Sequence, residues 1–392
     1  MQVHRPTHVE IDLDALRHNF LLARRQAGEG REVLAVVKAD AYGHGAVPVA
    51  RVLQGAGADL FGVAIVEEGV ELRRADIRAP ILVLGGIYPG QEEDLLRHDL
   101  TPCLFDLSVA RRLQKVAAAA GKTLPYHLKL DTGMGRVGFR PEEVPKVLAE
   151  LAALPALRME GVISHLALAD EPQHPFTDEQ VRRFRHALAQ IRAAGFAPRY
   201  THLGNSAALF SRQFPECNLV RPGIVLYGGL PAAEFAGRLD LQPVMSFRTS
   251  IAQLKTVPPG TGISYGHRFT AATPTLLATV PVGYADGYSR HLSCKGEVLV
   301  RGRRAPVVGT VCMDWTLIDV SAIPGVEVGD EVTLLGSDNG NRISAEEWAE
   351  KVGSISYEVF CSVGKRVPRR YKDKAAPAEK RTAESGDSDP EP

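Results

Sequence analysis

Between residue 31 and about 224 the chain repeats one pattern. A short apolar run is followed by a loop and then by apolar positions at helical spacing. The apolar runs fall at 33–37, 60–65, 81–84, 102–105, 126–130, 159–164, 200–203 and 219–225. Helical patterns lie between them, at 45–54, 66–74, 91–98, 107–120, 141–153 and 177–194. Asp106 stands where the N-cap of one of these helices belongs. Short strands alternating with helices predict βαβ units and a parallel sheet. Eight such strands in about 190 residues fit a closed (β/α)8 barrel of the TIM type. An open doubly wound sheet has the same periodicity, because periodicity does not report closure.

From about residue 240 the texture changes. The segments 244–256, 275–282, 297–300, 306–320 and 331–335 are rich in Val, Thr, Ile and Leu and are separated by Gly and Pro turns. Only 344–352 reads as helical, so this part is expected to be a mostly β domain. The resulting organisation is a barrel over 1–240, a β-rich domain over 241–371 and a tail over 372–392, with 229–241 as the linker. The tail has no large apolar side chain to offset its ordering entropy and is expected to be disordered. Residues 12–25 predict an amphipathic helix outside the barrel, with Leu13, Leu16, Phe20 and Leu21 on one side.

Composition narrows the function class. The 392 residues carry 46 basic and 46 acidic side chains, so no basic excess supports nucleic-acid binding. No run of 18 apolar residues is present to span a membrane. The N-terminus has no apolar segment of the secretory kind. The five cysteines are scattered and odd in number, without a CxxC pair, which excludes a disulfide framework and a structural zinc site. The expectation is a cytoplasmic enzyme without a metal.

In a (β/α)8 barrel the chemistry lies at the C-terminal ends of the strands. The first barrel strand ends at Lys38, after five apolar residues. Desolvation there lowers an amine's pKa and makes it a better nucleophile for a Schiff base; a lysine snorkelling from a strand end is the bland alternative. The fifth strand ends at Lys129-Leu130-Asp131, followed by a loop carrying Arg136. The sixth ends at His165, the seventh at Asn205-Ser206, and the eighth carries Arg221-Pro222-Gly223-Ile224. The loops after the last two strands commonly hold a phosphate. A Schiff-base lysine facing a phosphate cradle is the pattern expected for pyridoxal 5'-phosphate. One motif points elsewhere. Residues 133–138 satisfy G-x-G-x-x-G, with Glu160 downstream, as a dinucleotide fingerprint requires. The next helix begins only after Pro141, and the motif sits in the fifth unit of the series, so its context does not fit NAD.

The motif AVVKADAYGHG (35–45) resembles the cofactor-lysine segment of alanine racemases. The likeness continues in order through HLKLDTGMGRVGF (127–139), SHLA (164–167), GNSAA (204–208), RPGIVLYG (221–228), SYGHRFT (264–270), VGYADGY (282–288), CMDW (312–315) and SYEV (356–359). That family is a barrel followed by a mostly β domain. The resemblance implies that Lys38 holds pyridoxal phosphate and that Tyr42, Asn205, Ser206, Gly223, Ile224 and Tyr357 bind its phosphate end. It implies that Arg221 faces the pyridine nitrogen and that His165 links Arg221 to a tyrosine. Arg136 and the backbone N–H of Met313 would bind the substrate carboxylate. Lys129 would be carbamylated and position Arg136.

The resemblance also implies two bases, Lys38 for the D-alanine face and Tyr265 for the L-alanine face. Tyr265 lies in the second domain, so the family's head-to-tail homodimer would bring it to the partner's site. The implied activity is interconversion of L- and D-alanine, supplying D-alanine for peptidoglycan. A preference for serine or a broader range is left open by Tyr284 and Asp314 at the substrate entrance. A decarboxylase of the same architecture is disfavoured by GMGRVG, CMDW and SYGHRFT. A barrel-only pyridoxal-phosphate carrier would lack residues 240–371.

Overall fold

The computed structural model describes residues 5–374 of the 392. Strand β1 (His8–Asp12) leads into helix α1 (Leu13–Ala27), whose first turn is capped by the Asp12 carboxylate accepting from Asp14 N and Ala15 N. Leu13, Leu16 and Phe20 are buried as expected, but Leu21 is 40% exposed. Asn19 takes the buried place, because its amide donates to the carbonyls of Leu226 and Gln242.

Eight parallel strands follow: β2 (Glu32–Val36), β3 (Leu60–Val63), β4 (Ile81–Val83), β5 (Leu100–Leu104), β6 (Leu124–Lys129), β7 (Leu157–Ile163), β8 (Tyr200–His202) and β9 (Leu219–Val220). They pair in the order β8-β7-β6-β5-β4-β3-β2-β9. Each is the expected apolar run, and the intervening helices match the expected spans to within about three residues, the largest offset being Val144–Ala152, which a 3-10 turn at Pro141–Glu143 precedes. The seam between β8 and β9 is closed by Asn218. Its N–H donates to Thr201 O at 3.1 Å and its Oδ1 accepts from Thr201 N at 2.9 Å. The nearly closed barrel bears out the TIM-type expectation over the open sheet.

The C-terminal part is mostly β. Its main sheet contains β10 (Met245–Ser250), and β1 pairs antiparallel with it, from His8↔Arg248 to Ile11↔Met245. On its other side β1 pairs in parallel with the last strand, Arg369–Lys372. The first described strand therefore belongs to the second sheet, not to the barrel. Lys372, which composition places in the tail, ends that strand, and its Nζ lies 2.8 Å from Glu10. Residues 375–392 of the expected tail lie outside the described residues.

One expectation fails in this part. Besides Ala345–Val352, a second helix forms at Ser356–Cys361. Six residues are too few to show a helical period. No helix among the described residues is long and apolar enough to cross a membrane.

Candidate active site

A cavity of about 670 Å³ opens at the C-terminal rim of the barrel. Lys38, Tyr42, Lys129, Arg136, His165, Asn205, Ser206, Arg221, Gly223, Ile224 and Tyr357 all line it. Most stand at or just past barrel strand ends, Tyr42 and Arg136 in the turn and loop that follow Lys38 and Lys129, while Tyr357 arrives on the short helix from the second domain.

Lys38 opens an unusual turn. Ala39, Asp40, Ala41 and Tyr42 all adopt left-handed conformations, with φ between 52° and 55°. Left-handed backbone costs an L-residue roughly 1–2 kcal/mol each, so the turn persists only where its surroundings hold it. Ala41 N donates to Val37 O at 2.9 Å, Gly45 N to Asp40 O at 2.9 Å, and Ala46 N to the Asp40 carboxylate at 2.7 Å. The helix Ser356–Cys361 packs on this turn so tightly that a Cβ on Gly43 would lie 2.5 Å from Phe360 O. His44 is fully buried, and its ring stacks on Tyr227 at 4.6 Å. Burial and the Arg136 charge lower the pKa of Lys38, opposed by Glu68.

The opposite end of the cavity is built from close backbone. Asn205 caps the helix Ser206–Ser211 by accepting from Ala208 N at 3.0 Å. Ser206 Oγ accepts from Gly223 N at 2.9 Å. A Cβ on Gly223 would stand 2.6 Å from Tyr42 Oη, so only glycine leaves this space open. The hydroxyls of Tyr42 and Tyr357 make no hydrogen bond to the described residues, and both residues line the cavity. Burial raises both pKa values, that of Tyr357 to about 12, so both hydroxyls stay protonated donors.

Arg221 crosses the floor. It is 5% exposed and has no carboxylate partner among the described residues. It donates to Ser164 O at 2.8 Å, Leu203 O at 3.1 Å, His202 Nδ1 at 3.2 Å and, at the limit of contact, His165 Nδ1 at 3.4 Å. Burial lowers its pKa only to about 10, so it remains a cation. A guanidinium can only donate, so each imidazole Nδ1 accepts and its Nε2 carries the proton. His202 Nε2 then donates to His127 Nδ1 at 2.8 Å. Burial followed by the Arg221 charge pushes His165 down to about 2 and His127 to about 3, so both rings are neutral. Sequence reasoning missed His127 and His202. His127 lies in the middle of β6 and His202 ends β8, both fully buried and apart from the loop residues that the strand-end reading singled out.

Lys129 is 6% exposed and has no ion-pair partner among the described residues. Burial, then Arg221 and Arg136, push its pKa down to about 7. The loop after it closes on itself. Phe139 N donates to Lys129 O, Asp131 N donates to Phe139 O, and the Asp131 carboxylate accepts from Gly133 N and Gly135 N. Gly138 has φ 132°, and a Cβ there would meet Asp131 N at 2.5 Å. The glycines of 133–138 thus build a loop that presents Arg136, and no helix starts at them.

Tyr265 and Met313 do not reach this cavity. Both lie in the second domain, 70% and 53% exposed. Tyr265 sits in a strained turn, with Ser264 at φ 60°, ψ −172°. Ser264 Oγ donates to Thr310 O at 2.6 Å, and Thr310 Oγ1 donates to Tyr265 O at 2.7 Å. The N–H of Met313 has no partner among the described residues. Tyr284, whose N–H donates to Cys312 O, and Trp315 are also exposed.

The family model of the alanine racemase N-terminal domain matches residues 11–231, and that of the C-terminal domain matches 244–371. An alanine racemase of Geobacter sulfurreducens is 54% identical over 371 residues, covering 94% of this chain and 97% of the relative. The solved alanine racemase of Streptomyces lavendulae superposes with a TM-score of 0.90 at 38% identity, covering 95% of this chain and 98% of that one. That of Bartonella henselae, with covalently bound pyridoxal phosphate, gives 0.86 at 29% identity, covering 94% and 99%.

Proposed function

The chain belongs to the alanine racemase family and is an isomerase acting on alanine; from that premise we propose that it uses pyridoxal 5'-phosphate and two bases on opposite faces of the substrate. One observation carries the cofactor reading. The same cavity joins a strand-end amine, a buried arginine with no carboxylate partner among the described residues, and a donor-lined cradle that a Cβ on residue 223 would fill. A solved relative with covalently bound pyridoxal phosphate supports it. Lys38 would hold the cofactor's aldehyde carbon through Nζ. Tyr42, Ser206, Gly223, Ile224 and Tyr357 would bind its phosphate, with Asn205 fixing the turn that presents Ser206. When bound, the cofactor supplies an electron sink that acidifies the α-C–H of an attached amino acid.

The chain's own residues do the rest. Arg221 would meet the pyridine nitrogen as a donor, which leaves that nitrogen without a proton, since two cationic donors in contact repel. Arg136 and Met313 N–H would bind the substrate carboxylate. Lys38 Nζ would take or return the α-proton on the D-alanine face, a task that needs the neutral amine its surroundings favour. Tyr265 Oη would do the same on the L-alanine face. His165 accepts from Arg221 at Nδ1, so its Nε2–H is free to donate to the phenolate form of Tyr265. Lys129, held near pKa 7, keeps much of its amine neutral. Addition of CO2 would form an Nζ–C bond, release a proton, and give a carbamate beside Arg136.

Tyr265 and Met313 are exposed and stand outside their own chain's cavity. A head-to-tail homodimer, each chain completing its partner's site, accommodates both. The product, D-alanine, would serve peptidoglycan synthesis in the cytoplasm. The test is direct. The purified protein with added pyridoxal phosphate should show a visible or near-ultraviolet cofactor band and convert L-alanine to D-alanine. Neither band nor conversion would refute the reading.

A further inference from the structure

We propose that Glu68 is a positioning residue for Lys38, tying the peptide that follows the lysine to the end of the neighbouring barrel strand. The inference rests on Lys38 as cofactor lysine and base. Glu68 Oε1 accepts from Ala39 N at 2.6 Å, the first amide after Lys38 and the first residue of the left-handed turn. Glu68 Oε2 accepts from Ala64 N at 2.6 Å, where β3 has just ended. One carboxylate therefore bridges the ends of two adjacent strands at the rim where the cavity opens.

A helix-capping role alone does not account for this. Glu68 is at the third position of the helix Val66–Arg74, where a capping-box glutamate returns to the N-cap amide. Here the N-cap amide, Ile65 N, is the long contact at 3.4 Å. The two short bonds go to Ala64 and to Ala39, which is 29 positions away. The left-handed turn explains why such a tether is needed. Its conformation is unfavourable for Ala39, and the inner hydrogen bonds begin only at Ala41 N. Without Glu68 the Ala39 N–H has no hydrogen-bond partner among the described residues. Lys38 itself has no carboxylate within ion-pair distance there, and Glu68 is the carboxylate whose charge offsets burial and Arg136 at the amine. Glutamine at 68 keeps the shape but has one acceptor oxygen. Its NH2 would face one of the two amides, so that bond is lost.

The test uses the holoenzyme and hydroxylamine as a trap for the cofactor. Decay of the cofactor band then reports how often Lys38 lets go and fails to recapture. Glu68→Gln and Glu68→Ala should lose the band at least about tenfold faster than wild type, with kcat for alanine down about tenfold and KM within about threefold. Glu67→Gln, on the same helix but bonded to Gln91 at the surface, should leave both rates unchanged. Band decay and kcat within about twofold of wild type for both Glu68 variants would overturn the proposal. So would a lower Tm with unchanged band decay in the folded protein, which is the signature of a helix cap. If Glu68→Ala does not fold, the isosteric Glu68→Gln decides. A wild-type protein with neither band nor racemisation would instead refute the functional reading itself.

Discussion

At the scale of single residues, the site separates into groups that sequence marks and groups it does not. Lys38, His165, Ser206 and Arg221 stand at or just past strand ends, where barrel geometry puts chemistry. Their places were legible from the strand pattern alone. Tyr42, Tyr265 and Met313 were not, because a tyrosine in a turn and a methionine in a β domain are ordinary; only the resemblance singled them out. Gly223 shows how a single missing atom makes a site. Gly223→Ala should push Tyr42 aside and raise the Kd for pyridoxal phosphate at least about tenfold, with Tm nearly unchanged. Titration of the apo-variant with the cofactor checks this, and wild-type affinity would contradict it. Tyr265→Ala should abolish racemisation while the cofactor band persists, since Tyr265 lies away from its own chain's cradle. Full activity in this variant would remove it as a base.

At the scale of elements, two local structures aim the chemistry. The left-handed turn 39–42 and the self-closing loop 130–139 both place a cation on the rim and depend on backbone that periodicity does not report. The glycines of 133–138 spell a dinucleotide motif, yet their use follows from the loop. Gly138 is needed because Asp131 N passes beneath it. Gly138→Ala should therefore cost roughly 1–3 kcal/mol of stability and loosen Arg136, so that KM for alanine rises more than kcat falls. Urea unfolding and steady-state kinetics measure the two effects; a variant unchanged in both would contradict the account. The helix Ser356–Cys361 escaped the sequence pattern for a physical reason. It is one and a half turns long, and its packing on the Lys38 turn, not its own periodicity, fixes it.

At the scale of the whole molecule, the alternation of strands and helices made the barrel legible. It did not reveal that β1 crosses into the second sheet, since its partners lie more than 230 positions away. Four histidines among the described residues are held neutral in the interior. Burial lowers His44 to about 4, His127 to about 3, His165 to about 2 and His202 well below its ordinary value of 6.5. Below pH 6.5 the unfolded chain binds protons that the folded chain refuses, so stability must fall with acid. Each histidine contributes a slope of up to about 1.4 kcal/mol per pH unit. The urea midpoint should drop steeply from pH 6.5 towards 4, and a flat profile would show that the rings are not held neutral.

The central claim is that one cavity draws its bases from two chains: Lys38 from the barrel beneath it and Tyr265 from a second copy. The most direct measurement mixes two inactive variants, Lys38→Ala and Tyr265→Ala, and lets subunits exchange. A heterodimer then holds one site with both bases and one with neither. Random pairing of equal amounts predicts recovery of about a quarter of the wild-type activity per chain. No recovery in a sample shown to contain heterodimers would contradict the shared site.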